Sequence, residues 1–248
     1  MLPDNIKTIV DFTIGDGWIG YRSSTHKLPY MRIEHSHRQM MYAKHKEDIL
    51  RSYDYNLSAK LYMSTTKKNH GRYYYQINTY QHQDFYTAYK WMYNKKRKTI
   101  DKALLRHLDA CSLAYWFMDD GTAKLCNYTQ NKDKSRKYFE NYKIHAYKLA
   151  TLCFSYDENL LIADWLRDKF NIESKIERWK QYCMIVIYGI ENKNNFRSTI
   201  EPYIINEMRY KIDKPHTFEG MSWITVSREE TERDNPTKSV GEATVQFP

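Results

Sequence analysis

The segments Asn56-Leu57-Ser58-Ala59-Lys60-Leu61 and Asn171-Ile172-Glu173-Ser174-Lys175-Ile176 share one pattern, N-[LI]-x-[AS]-K-[LI]. Each follows a Leu-Arg pair, Leu50-Arg51 and Leu166-Arg167, at the end of a helical pattern. Each of those helices is expected to open on a capping box, Ser36-x-x-Gln39 in one case and Ser155-x-x-Glu158 in the other. There a Ser hydroxyl accepts from the first turn and the Gln or Glu reaches back. Four matches in the same order point to a duplicated unit of about 100 residues.

The same elements are expected in both halves. In the first, residues 4–15 read as a helix and 18–23 with 29–36 as a hairpin. A helix follows at 37–53, a second hairpin at 59–65 and 72–80, and a helix at 83–94. In the second, Asp109 caps a helix at 110–119. Strands near 122–128 and 144–154 precede a helix at 156–170, strands at 174–180 and 182–189, and a helix at 191–200. Each half is thus α-β-β-α-β-β-α, an α+β unit with antiparallel strands. The expected division is 1–98 and 99–226, with 227–248, rich in Glu, Thr, Ser and Asn, a poorly ordered tail.

Composition narrows the function. Lys plus Arg is 39 against 30 for Asp plus Glu, a formal charge of +9, and apolar residues make up 42%. Wholesale disorder is excluded, and no apolar run reaches the roughly 18 residues that span a bilayer. The start, MLPDNIKTIVDF, carries neither a secretory nor a transit signal. The expectation is a chain outside the membrane and exported classes. The 23 Tyr reflect AT-rich codons as much as function, but aromatics among basic residues suit a polyanionic partner. Cys111, Cys126, Cys153 and Cys183 form no CxxC pair and read as reduced, mostly buried thiols.

The chemistry concentrates in Ser112-Leu113-Ala114-Tyr115-Trp116-Phe117-Met118-Asp119-Asp120-Gly121. An apolar helix ends in two acids and a Gly, which can turn the chain through a left-handed conformation. Acids at that end face the negative pole of the helix dipole, so they call for a cation. The counterpart is Ile9-Val10-Asp11-Phe12-Thr13-Ile14-Gly15-Asp16-Gly17, its Asp-Gly 104 residues earlier. Asp11 and Thr13 are unusual on a helix that must pack closely. His35-x-His37 and His45 lack zincin spacing, and neither a phosphate-cradling Gly loop nor a nucleophile elbow is present.

SLAYWFMDDG is a specific variant of the LAGLIDADG motif, and residues 5–220 resemble a single-chain LAGLIDADG homing endonuclease. The first motif matches more loosely, at Ile9, Val10, Gly15, Asp16 and Gly17. The resemblance implies two pseudo-symmetric halves forming a DNA-binding saddle of antiparallel sheets, with the motif helices packed between them. It implies Asp16 and Asp120 as catalytic metal ligands, completed by the carbonyls of Gly17 and Gly121. Lys98 and Lys211, in Lys95-Lys96-Arg97-Lys98 and Met208-Arg209-Tyr210-Lys211, match the basic residues beside the scissile phosphates. Mg²⁺ suits such oxygen ligands, with Mn²⁺ tolerated. Asp119, about 100° round the helix, reads as a contact to the N-terminal helix rather than a ligand.

The partner implied is double-stranded DNA, cut by a monomer at a long pseudo-palindromic site, with an intron-borne gene. The resemblance also implies that the chain acts where its gene resides, in a mitochondrion or a bacterial or phage cytoplasm. Intron RNA, bound by a maturase on the same scaffold, is the alternative; a decayed DNA-binding regulator would have lost an acid. Alternation along the strands nominates Arg22, Arg32, Lys60, Arg72, Gln76, Lys124, Tyr147, Lys175 and Lys180 for DNA contact. The basic insertion around 127–142 adds Lys134 and Arg136.

Overall fold

A computed structural model describes residues 2–66, 69–127 and 142–213. The first half runs α1 (Asp4–Ile14), β1 (Trp18–Gly20), β2 (Tyr30–Ser36), α2 (Met40–Ser52), β3 (Leu57–Met63), β4 (Tyr73–Thr79) and α3 (Gln83–Met92). A small hairpin, β5 (Tyr93–Asn94) and β6 (Arg97–Lys98), and a short helix α4 (Lys102–Leu105) lead onward. The second half runs α5 (Ala110–Asp120), β7 (Gly121–Asn127), β8 (Tyr142–Leu149), α6 (Tyr156–Phe170), β9 (Lys175–Trp179), β10 (Tyr182–Ile187) and α7 (Ile190–Ile200). Two 3-10 turns, Glu201–Tyr203 and Asn206–Lys211, follow.

The duplication is explicit in the sheets. Both are four-stranded and antiparallel, ordered β1-β2-β4-β3 and β7-β8-β10-β9. The two N-[LI]-x-[AS]-K-[LI] segments lead into equivalent edge strands, β3 and β9. In the first sheet odd-numbered residues of β2 (Met31, Ile33, His35) face the core, and Arg32 and Glu34 face outward. In the second, Tyr147, Leu149, Ile185 and Ile187 are buried, while Lys148 pairs with Glu177 on the open side.

The motif helices α1 and α5 pack together in the centre. Phe12 meets Tyr115 edge-on at 5.0 Å. The two buried polar residues of α1, Asp11 and Thr13, are accommodated locally: the Thr13 hydroxyl donates to the Ile9 carbonyl at 2.6 Å. Buried Asp11 accepts from Lys7 at 2.8 Å, and Lys7 reaches across to Ser112 on α5.

Several sequence expectations need correction. The second capping box is present, with Ser155 and Glu158 bonding reciprocally, and Asp109 forms another with Ser112. The first is absent: Ser36 closes β2, its side chain makes no cap bond, and His37–Gln39 form a 3-10 turn. Gln39 instead donates to the Tyr210 hydroxyl at 2.9 Å. The segment read as the end of a helix and a basic linker is a tight hairpin. Lys95 and Lys96 both have positive φ (48° and 71°), the backbone of a two-residue hairpin turn usually built from Asn-Gly. Gly17 and Gly121 are not left-handed. They are needed for close approach, since a Cβ on either would fall within 2.4 Å of the Phe12 or Phe117 carbonyl oxygen. Cys153 is exposed, not buried.

Candidate functional site

The two motif acids lie at the paired helix ends, where a lysine from the end of each half is anchored to backbone carbonyls. Lys98 donates to the Gly15 carbonyl at 2.5 Å, just past α1. Lys211 donates to the Met118 and Asp119 carbonyls at 2.5 and 3.0 Å, on the last turn of α5. The cation that acids at a helix C-terminus require is therefore supplied in part by these ammonium groups. The hairpin β5–β6 aims Lys98, and the final 3-10 turn aims Lys211.

Electrostatics single out the same residues. Burial, then the field of Asp119, pushes the Asp16 carboxyl up to about 6. Burial, then Asp16 and Asp119, pushes Asp120 up to about 7. Burial lowers both Lys98 and Lys211 against the pull of the acids. Carboxylates raised by desolvation and by neighbouring acids lack a full counter-charge, and their hard oxygens suit a divalent ion. Asp16 and Asp120 thus fit the metal that the motif implies. A cavity of about 480 Å³ opens beside Asp120, lined by Gly15, Trp18, Tyr93, Lys98 and Cys153.

Asp119 behaves differently. Its Oδ2 accepts from the Asp16 backbone N–H at 3.1 Å, across the helix interface. Its Oδ1 accepts from Lys46 at 2.6 Å and from the Tyr42 hydroxyl at 2.8 Å. Burial opposes its ionisation, but the Lys46 charge and these hydrogen bonds hold its carboxyl below the ordinary carboxylate value. Among the described residues, Asp16, His35 and Asp119 form the one His and carboxylate cluster compact enough for a metal. The Lys46 ammonium already sits against Asp119 and lies 3.3 Å from His35 Nε2, so an internal cation serves that trio.

Lys46 and His35 escaped the sequence reading. Lys46 is fully buried on the stripe Tyr42, Lys46, Leu50 of α2, a four-residue spacing that signals an inward lysine. His35 lacks zincin spacing and carries no signal of a role in the sequence. The structure puts its Nδ1 3.4 Å from Asp16 Oδ2.

The outer face of the first sheet gathers Arg22, Arg32, Lys60, Gln76 and Asn78 around a cleft of about 360 Å³. Arg72, Lys124, Lys175 and Lys180 are exposed on loops and strands. Tyr147 is withdrawn as a contact residue: it is 2% exposed, packs on Phe117 and Phe196, and donates to the Ile212 carbonyl. Its neighbour Lys148 takes the outward position that strand parity denies Tyr147. Lys134 and Arg136 lie outside the described residues.

Residues 9–194 match the model of the LAGLIDADG DNA endonuclease family, three quarters of the chain, and the chain belongs to that family. It is 28% identical over 145 residues to a probable intron-encoded DNA endonuclease of Mycosarcoma maydis, covering 56% of this chain and 93% of that protein. It is 30% identical over 154 residues, 59% of this chain, to the cytochrome b mRNA maturase bI2 of Saccharomyces cerevisiae, spanning 32% of that longer protein. Among solved structures it resembles the homing endonuclease I-WcaI bound to its DNA recognition sequence. The TM-score is 0.67 at 26% identity, with 86% of this chain and 88% of that one covered.

Proposed function

We propose that this chain is an intron-encoded homing endonuclease that makes metal-dependent double-strand cuts at a long, pseudo-palindromic DNA site. The reading rests on one observation above all: two acids, one from each repeat, stand at packed helix ends with a half-buried lysine from each half beside them. Asp16 and Asp120 would hold divalent metal, Mg²⁺ or Mn²⁺, with the Gly17 and Gly121 carbonyls completing the shell. When bound, such ions activate water and stabilise the leaving oxygen. Lys98 and Lys211 fix the helix ends and offset phosphate charge that grows at the cut bond. The basic outward faces, Arg22, Arg32, Lys60, Gln76 and Arg72 in one half and Lys124, Lys148, Lys175 and Lys180 in the other, would track the duplex. Both acids come from one chain, so the active species is a monomer. Relatives named as intron-encoded endonucleases in fungi favour an organelle-borne gene.

Likeness to the maturase supports a second reading, in which the same scaffold binds intron RNA. The deciding experiment incubates the purified chain with a randomised plasmid library, with Mg²⁺ and with EDTA, and sequences the ends. Mg²⁺-dependent cutting at one long site is expected. Cutting in excess EDTA, or intron RNA binding with no DNA cleavage under any metal, overturns the endonuclease reading.

A further inference from the structure

The two acids do not sit in equivalent surroundings. Aligning the repeats on Gly17 with Gly121, and α2 with α6 on their Leu-Arg pairs, sets His35 against Thr151, Lys46 against Ile162 and Asp119 against Gly15. Around Asp16 the members are a histidine, a lysine and an acid, all buried. Around Asp120 they are Thr151, turned away to Asn159 and the Cys183 carbonyl, an aliphatic Ile162, and Gly15 with no side chain.

The polar members form a chain with a fixed direction. Lys46 is held by Asp119 at 2.6 Å and offers its remaining N–H groups to His35 Nε2 at 3.3 Å. An ammonium can only donate, so Nε2 must be the bare, accepting nitrogen. The imidazole proton is therefore on Nδ1, which stands 3.4 Å from Asp16 Oδ2 and makes no hydrogen bond in this structure. At the same time Asp119 Oδ2 holds the Asp16 backbone N–H. Asp16 is held at its amide by Asp119, and the His35 Nδ1–H stands 3.4 Å from one carboxylate oxygen, close enough to orient it. Partners that orient a ligand in this way tune the metal they do not touch.

Building on the endonuclease reading, we propose that Asp119, Lys46 and His35 are positioning residues for Asp16 alone, so that the two DNA strands are cut by sites of unequal preorganisation. The consequence is a strand-selective dependence on His35.

Two measurements test this. The first needs no catalysis: ¹⁵N–¹³C correlation spectra of the histidine-labelled, metal-free protein should show His35 as the neutral tautomer protonated at Nδ1. A tautomer protonated at Nε2 overturns the proposal. The second follows each end-labelled strand of a cognate duplex. His35→Leu should slow one strand by about 10- to 100-fold and leave the other within a few-fold, accumulating a nicked duplex. His35→Asn, which keeps a donor near the Nδ1 position, should restore most of the lost rate. Equal slowing of both strands by folded His35→Asn, or no slowing by folded His35→Leu, overturns it. Failure of the wild-type chain to cut either strand would instead count against the endonuclease reading, while the spectrum would still judge the tautomer.

Discussion

Gly15 lies directly beneath Asp119: a Cβ on Gly15 would fall 2.4 Å from the Asp119 Cβ and 2.6 Å from its Oδ2. That contact leaves no room for a side chain at this position. Gly15→Ala should push α1 off α5 and cost about 1–3 kcal/mol, read by urea denaturation. Unchanged stability would mean that the helix pair yields at no cost.

The buried pair above it answers to a different rule. Lys46 and Asp119 are both fully buried at the side chain. Removing one partner strands a charge, at about 3–5 kcal/mol. Asp119→Asn, conservative in size, should therefore be strongly destabilising, and so should Lys46→Met. The double substitution should cost clearly less than the two single losses added together. A thermodynamic cycle from chemical denaturation checks this, and strict additivity would refute the coupling.

The raised acids predict how stability varies with pH. Asp16 and Asp120 titrate near 6 and 7 when folded, above an ordinary carboxyl near 4. The folded state then binds more protons at these two groups than the unfolded one, so their contribution to stability is fully present below about 4 and is lost as pH rises through about 7. Melting temperature in EDTA should drop between pH 5 and pH 8. Asp16→Asn or Asp120→Asn should flatten that drop, keep specific DNA binding in gel shifts, and abolish double-strand cleavage. Divalent ions compete with the same protons, so their binding should tighten across the same window.

On the second sheet, parity separates two adjacent residues. Lys148→Ala should weaken DNA binding and lower the salt slope by roughly one. Tyr147→Phe should leave the slope alone and lose about 1 kcal/mol of stability with its hydrogen bond. Binding isotherms at several salt concentrations distinguish them.

The parts of the site legible in the sequence were those carried by local pattern. Asp-Gly after an apolar helix, twice, located Asp16 and Asp120, and the matching basic segments located Lys98 and Lys211. The angle of Asp119 on α5 sets it apart from Asp120, and its partners are the Asp16 N–H just past α1 and Tyr42 and Lys46 of α2. What could not be read depends on tertiary partners. Lys46 looks solvated until α2 is seen to bury the stripe it shares with Tyr42 and Leu50. The role of His35 exists only because Lys46 points at its Nε2. The hairpin at Lys95-Lys96 carries none of the Asn or Gly that would announce it. Tyr147 was misassigned because one aromatic in a basic strand fits either face, and only the β8–β10 register settles which.

Glu158 began as the far end of a capping box, but its carboxylate does more than close α6. Oε2 accepts from the Ser155 N–H at 2.6 Å and from Arg97 at 2.7 Å, and Oε1 accepts from Arg97 and from the Ile100 N–H, each at 3.2 Å. One side chain of the second repeat thereby fastens the connecting segment that leaves the first. Chimaeras that join this first repeat to a foreign second one would need a glutamate at that helix start, and an arginine four residues after Tyr93. Without that buckle the two repeats could fold correctly and still be held at the wrong spacing for a single duplex.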